Sequence, residues 1–438
     1  MKRRFSIVFI ALLVVVIGNV VFCDAWADQN YQIQDAGLHT ALDDYIARPE
    51  PDFKWSVEKK VGDATVLKMD SQRWQDEIWH HQVIVIPPKK NTYPDTAMLL
   101  INVGDMTEMI PLMQQAASLL GTTFVALDGI PAQPRWDRKE DALIAYTFKQ
   151  WYSGGDDTWP LLLPMTKSAI KAMDAVQQFS GKHLEKPITK FVALGGSKRG
   201  WTTWLVAAED KRVTGIVPIV FNMLNFSAQL PHQKDIFGDY SPMIGEYVEI
   251  NLPQALTTPR GKILEQIVDP WAYRERITVP KLIINSTNDP YFALDAERFY
   301  RDGLQGPSNF YDVPNAGHGE GMPVQALMST MIGWFHWLQS GKDFPQLDLT
   351  QDKSTFTLHL KNAEAKSAVL WIAHSPTQDF RTAKWSSVPM HHEGAAWQTQ
   401  ITPSSDAKYT TVFAEAEFAV DGTFLPMKLS SQIVCSGQ

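Results

Sequence analysis

Between about residues 80 and 340, short apolar runs alternate with helical stretches, and this rhythm restricts the fold more than any other feature of the chain. Gln82 to Ile86, Ala97 to Val103, Thr123 to Leu127, Phe191 to Leu194, Gly215 to Val220, Lys281 to Asn285 and Asn309 to Val313 read as strands. Unbroken apolar strands are buried on both faces. Met109 to Leu120 and Thr166 to Phe179 read as helices. In the second, Ile170, Met173, Val176 and Phe179 recur at helical spacing on one face. Strands of this kind separated by helices predict an α/β chain with a mostly parallel sheet covered on both sides.

The rhythm breaks between Phe221 and Ala272, a stretch rich in Asn, Pro, Gly and aromatic residues. Lying between two core strands, residues 221–272 read as a cap, because long ordered insertions usually serve a site. Trp136 to Trp159 reads as a second insertion. From about Asp348 the pattern becomes short alternating runs divided by turns: Ser354 to Leu360, Ala368 to Ala373, Trp397 to Ile401, Tyr409 to Phe418 and Phe424 to Leu429. These predict a β-sandwich over 346–438, appended to a domain over 28–345.

One strand end carries the chemistry. Phe191 to Leu194 runs into Gly195-Gly196-Ser197, and Lys198-Arg199-Gly200 opens a helix reading from Trp201 to Glu209. A serine at a tight strand-to-helix turn is the nucleophile elbow of an α/β-hydrolase, although here the second glycine is one place later than Gly-x-Ser-x-Gly requires. A serine hydroxyl needs a base and a third group to orient that base. Asp289 follows the strand Lys281 to Asn285, and His318 follows the strand Asn309 to Val313 in a glycine-flanked turn. The order Ser, acid, His, each at a strand end, is that of the fold. Asp128 and Asp295 are weaker candidates for the acid. The oxyanion would meet the backbone N–H of Lys198 and another from the Gly104-Asp105 turn. The side chains of Lys198 and Arg199 either add a cation there or sit in salt bridges at the helix start. Such acyl transfer calls for no cofactor, and neither His80-His81 nor His391-His392 has metal-ligand spacing.

Residues 1–27 read as a signal peptide: Lys2, Arg3 and Arg4, an apolar run from Phe5 to Phe22, then Ala25-Trp26-Ala27. The alternative is an uncleaved membrane anchor, since the run is long for a signal sequence. Cleavage would remove Lys2, Arg3, Arg4 and Asp24, taking the formal charge from −8 to −10. An acidic exported chain without a basic stripe is a poor binder of nucleic acid. Cleavage would also leave Cys435 as the single cysteine, so stability must come from the core. The 15 Trp fit either core packing or a cleft lined with rings.

Glu140-Asp141-Ala142-Leu143-Ile144-Ala145-Tyr146-Thr147, Trp159-Pro160-Leu161-Leu162-Leu163-Pro164-Met165-Thr166-Lys167, Gly196-Ser197-Lys198-Arg199-Gly200-Trp201 and Pro314-Asn315-Ala316-Gly317-His318-Gly319 resemble the PhoPQ-activated pathogenicity-related protein family. That family is α/β-hydrolase-like and includes an autocrine proliferation repressor. The resemblance implies a periplasmic or secreted protein tied to virulence regulation, with serine hydrolase activity, in the first place peptidase. It also makes the displaced Gly200 a family trait. Glucuronoyl esterases are also similar around the elbow, and the aromatic content and the appended β-domain keep carbohydrate or other carboxyl esters open as substrates. A binding or signalling protein on a retained hydrolase scaffold is the non-enzymatic reading. A dipeptidyl-type peptidase would need free carboxylates to hold a substrate amine; Glu246, Glu249, Asp156 and Asp157 are the available ones.

Overall fold

The computed structural model describes residues 38–401 and 408–437. The signal segment read at 1–27 lies outside the described residues. Helix α1 (Ala41–Ala47) leads into an antiparallel meander of β1 (Lys54–Val61), β2 (Ala64–Trp74) and β3 (Glu77–Ile86). The alternating part follows: β4 (Thr96–Ile101), α2 (Ile110–Leu120), β5 (Thr123–Leu127), α3 (Glu140–Tyr152), α4 (Leu162–His183), β6 (Lys190–Gly196), α5 (Lys198–Glu209) and β7 (Val213–Ile219). The cap brings α6 (Phe226–Phe237), α7 (Gly245–Glu249), α8 (Leu252–Ala255) and α9 (Pro259–Val268), then the core resumes with β8 (Lys281–Ser286), β9 (Ser308–Val313) and α10 (Val324–Ser340). The C-terminal strands are β10 (Gln346–Asp352), β11 (Thr355–Lys361), β12 (Ser367–Ser375), β13 (Ser386–Pro389), β14 (His391–Glu393), β15 (Ala396–Gln400), β16 (Tyr409–Phe418), β17 (Met427–Ser430) and β18 (Val434–Gly437).

The central sheet runs β1-β2-β3-β5-β4-β6-β7-β8-β9, with β5 to β9 parallel, which is the strand order of an α/β-hydrolase preceded by one extra strand. Successive strand residues feed opposite layers, as a period of two demands. Leu99, Phe191, Ala193, Ile216 and Ile283 pack on the side of α4 and α5. Met98, Val192, Leu194, Val217 and Ile284 pack on the side of α2 and α10.

Two features differ from the sequence reading. β1 and β2 lie outside the rhythm recognised there. β1 is mostly exposed and charged, and β2 mixes Lys68, Asp70 and Arg73 among buried residues and breaks register between Asp70 and Gln72. The C-terminal strands do form two facing antiparallel sheets, with Leu349, Phe356 and Leu358 packed against Leu370, Val412 and Ala414. One of those sheets, however, continues the central one, because β17 pairs with β9 at Ser430 and Phe310.

Candidate active site

Ser197 occupies a backbone conformation that few residues adopt, φ 56° and ψ −122°. The turn is pinned by Ser197 N–H donating to the Ile219 carbonyl at 2.8 Å and by Trp201 N–H returning to the Ser197 carbonyl at 3.0 Å. Gly195 lies under the first turn of α5, where a Cβ would stand 2.5 Å from the Arg199 carbonyl oxygen. A Cβ on Gly200 would lie 3.1 Å from both the Gly195 and the Ile219 carbonyl oxygens. The second glycine is therefore needed where α5 crosses the ends of β6 and β7, one residue later than the usual motif places it.

The sheet register brings three loops to one edge. Gly196 stands opposite Ile219, Ile219 opposite Ile284, and Ser286 opposite Val313. Asp289 follows β8 and is buried, and His318 follows β9. Ser197 Oγ donates to His318 Nε2 at 2.7 Å, and His318 Nδ1 donates to Asp289 Oδ2 at 2.8 Å. The other carboxylate oxygen accepts the Tyr291 N–H at 2.8 Å. With a carboxylate beside Nδ1, the Nε2 lone pair faces the hydroxyl, as a base accepting the serine proton must. The Tyr291 ring lies over the imidazole, centroids 4.2 Å apart.

The remaining candidates fall elsewhere. Asp128 caps the loop after β4, accepting the Met106 N–H at 2.8 Å, and burial lifts its carboxyl to about 6. Asp295 pairs with His232 at 2.7 Å. Asp105 is exposed and its carboxylate accepts the Thr107 N–H. Its loop follows β4, whose Ile101 pairs with Gly195, so it leaves the sheet beside the elbow. The Lys198 N–H is the first of α5 and has no acceptor within that helix. The Lys198 and Arg199 side chains are both in salt bridges, Lys198 Nζ 2.5 Å from Asp141 and Arg199 Nη1 2.7 Å from Glu140.

Ser197 opens onto an apolar cleft between core and cap. Trp201, Tyr291 and Phe292 from the core and Phe221, Phe226, Leu230, Ile244 and Leu252 from the cap form much of its wall. Rings thus line the cleft, while buried Trp74 and Trp79 and half-buried Trp136 and Trp159 form a separate cluster. Asp141 is the one carboxylate among the lining residues. It accepts the Tyr247 hydroxyl at 2.9 Å and the Tyr291 hydroxyl at 3.2 Å. Burial, with the Asp141 charge beside them, raises both phenols above the ordinary tyrosine range. The four acids weighed for binding an amine do not line the cleft. Asp156 and Asp157 are exposed and bond to Thr158 and Trp151, Glu249 is exposed, and Glu246 is half-buried on α7. Sequence reasoning missed Asp141 as a site residue because an acid in the first turn of a helix reads as an ordinary partner of the helix dipole.

The C-terminal part reaches the same edge. Asn288, next to Asp289, donates through Nδ2 to the Ala383 carbonyl at 2.7 Å and the Arg381 carbonyl at 3.1 Å. Asn315, in the histidine loop, accepts the Trp385 N–H at 2.8 Å and donates to the Trp385 carbonyl at 3.1 Å.

The family described as PhoPQ-activated pathogenicity-related protein matches residues 42–381. Autocrine proliferation repressor protein A of Dictyostelium discoideum is 30% identical over 422 residues, covering 88% of this chain and 85% of that protein. Among solved structures, an acetyl xylan esterase from Paenibacillus sp. R4 is 15% identical, with a TM-score of 0.44 over 70% of this chain and 96% of that one. Est1E from Butyrivibrio proteoclasticus is 12% identical, with a TM-score of 0.37 over 60% of this chain and 95% of that one.

Proposed function

The chain belongs to the PhoPQ-activated pathogenicity-related protein family, and from that premise we propose that it is an exported serine hydrolase cleaving carboxylic esters with an apolar acyl group. The observation that carries this reading is the unbroken relay Ser197–His318–Asp289 at the mouth of an apolar cleft. In the proposed reaction Ser197 Oγ attacks the ester carbonyl while His318 Nε2 takes its proton. The carbonyl oxygen becomes an oxyanion, received by the Lys198 N–H and an N–H of the Gly104-Asp105 turn. His318 then passes its proton to the departing alkoxide. Water repeats the sequence on the acyl-enzyme, releasing the acid and restoring the serine. Asp289 holds the imidazole tautomer and offsets the imidazolium charge.

Esters are preferred to the substrates of a dipeptidyl-type peptidase for one reason. Holding a terminal amine takes a free carboxylate, and Asp141 in the cleft is already taken by Lys198, Tyr247 and Tyr291. The test is labelling of the mature protein with a fluorophosphonate, beside Ser197→Ala and His318→Ala, followed by p-nitrophenyl esters and aminoacyl amides as substrates. We expect labelling of the unsubstituted protein alone and turnover of the esters. Cleavage of the amides with no ester turnover would replace esterase by peptidase. A folded protein that takes no label would favour the binding-protein reading.

A further inference from the structure

Two cations open α5 and two carboxylates open α3, and they meet beside the cleft. Lys198 Nζ lies 2.5 Å from Asp141 Oδ2 and 3.9 Å from Glu140 Oε2, and Arg199 Nη1 lies 2.7 Å from Glu140 Oε2. The four charges sum to zero. Lys198 and Asp141 both line the cleft next to Ser197. The carboxylates suit the dipole of α3, but the cations at the start of α5 oppose its dipole. Nor is the arrangement free of backbone cost. Glu140 has a φ of 49° and is held there by Gln133, which accepts its N–H and donates to its carboxylate. Burial works against ionisation of Glu140, yet Arg199, Gln133 and Lys198 together outweigh it and keep the carboxyl below its ordinary range.

With Asp141 also accepting two phenol hydroxyls, neither Asp141 nor Lys198 has a charge left over for a ligand. We propose that the Asp141–Lys198 pair determines specificity by making the wall beside Ser197 electrically neutral, so that the cleft takes uncharged acyl groups and refuses those bearing a carboxylate or an amine. A charged acyl group would lose its hydration in the apolar cleft and find no uncompensated partner there. This rests on the ester-hydrolase reading of the site and names the substrate class for it.

The two partners can be removed separately, with opposite consequences. The measurement is titration calorimetry in a Ser197→Ala background, using 4-phenylbutyramide, 4-phenylbutyrate and 4-phenylbutylamine as neutral, anionic and cationic probes. The background protein should bind the amide best. Asp141→Asn should move the carboxylate-to-amide affinity ratio by about tenfold or more towards the carboxylate. Lys198→Gln should move the amine-to-amide ratio as far towards the amine, and the double variant should prefer the amide again. Unchanged ratios, shifts of both single variants in one direction, or no binding of any probe would overturn the proposal. Hydrolysis of p-nitrophenyl butyrate that depends on Ser197 checks the underlying reading separately, since the binding ratios need no turnover.

Discussion

At the scale of single residues, Ser197 keeps a strained backbone because its neighbours leave it no alternative. Gly195 admits the Arg199 backbone where any side chain would collide, and Gly200 lets α5 close on β6 and β7. Gly195→Ala should therefore cost about 1–3 kcal/mol by overpacking. Because the helix start can relieve the clash only by moving, labelling of Ser197 should fall more steeply than stability. Denaturant midpoints and the rate of fluorophosphonate reaction, measured together, check this. An alanine variant that reacts at the original rate would show that the elbow tolerates the displacement. The serine, acid and histidine were legible in the chain because each follows an apolar strand and is flagged by Gly or Pro. Asp141, Tyr247 and Tyr291 carried no such flag. The hydroxyls that reach Asp141 come from 106 and 150 residues further along.

At the scale of elements, the cap is fastened by two buried carboxylates at the start of α6. Asp269 accepts the N–H groups of Asn225, Phe226 and Trp271, and Glu265 accepts the Ser227 N–H. Burial, reinforced by the Glu265 charge, lifts the Asp269 carboxyl to about 8. The folded protein thus holds this proton more tightly than the unfolded chain, whose carboxyl titrates near the ordinary value of 3.8. The resulting stabilisation is complete below about pH 4 and is lost as the pH rises through 8. Asp269→Asn cannot titrate, so it should gain on the unsubstituted protein as the pH rises between 4 and 8. Urea midpoints of both at several pH values test this, and parallel curves would refute it. That residues 221–272 depart from the strand–helix rhythm was visible from composition. Which of their acids turn inward was not, because burial depends on the packing of α6 against α9.

At the scale of the whole molecule, the C-terminal strands extend the central sheet and prop the loops that hold the relay. Asn288 and Asn315 bind the backbone between Arg381 and Trp385, and Arg381 lies over Phe237 at the end of α6. Asn315→Ala would leave the paired groups of Trp385 without partners, costing about 1–3 kcal/mol in stability. It should also lower kcat by up to about 100-fold with little change in KM, since small misplacements of a catalytic group are costly. Steady-state kinetics on a p-nitrophenyl ester checks this, and an unchanged kcat would limit the C-terminal strands to a structural role. The sequence by itself determined the alternation of strands and helices, the elbow and the order of its partners, because each is written in a few neighbouring residues. Only the tertiary structure decided that Lys198 is neutralised by Asp141, that the cap acids Glu265 and Asp269 are turned inward, and that β17 joins β9. Each of these depends on contacts between distant segments, and such contacts exist only once the core has brought those segments together.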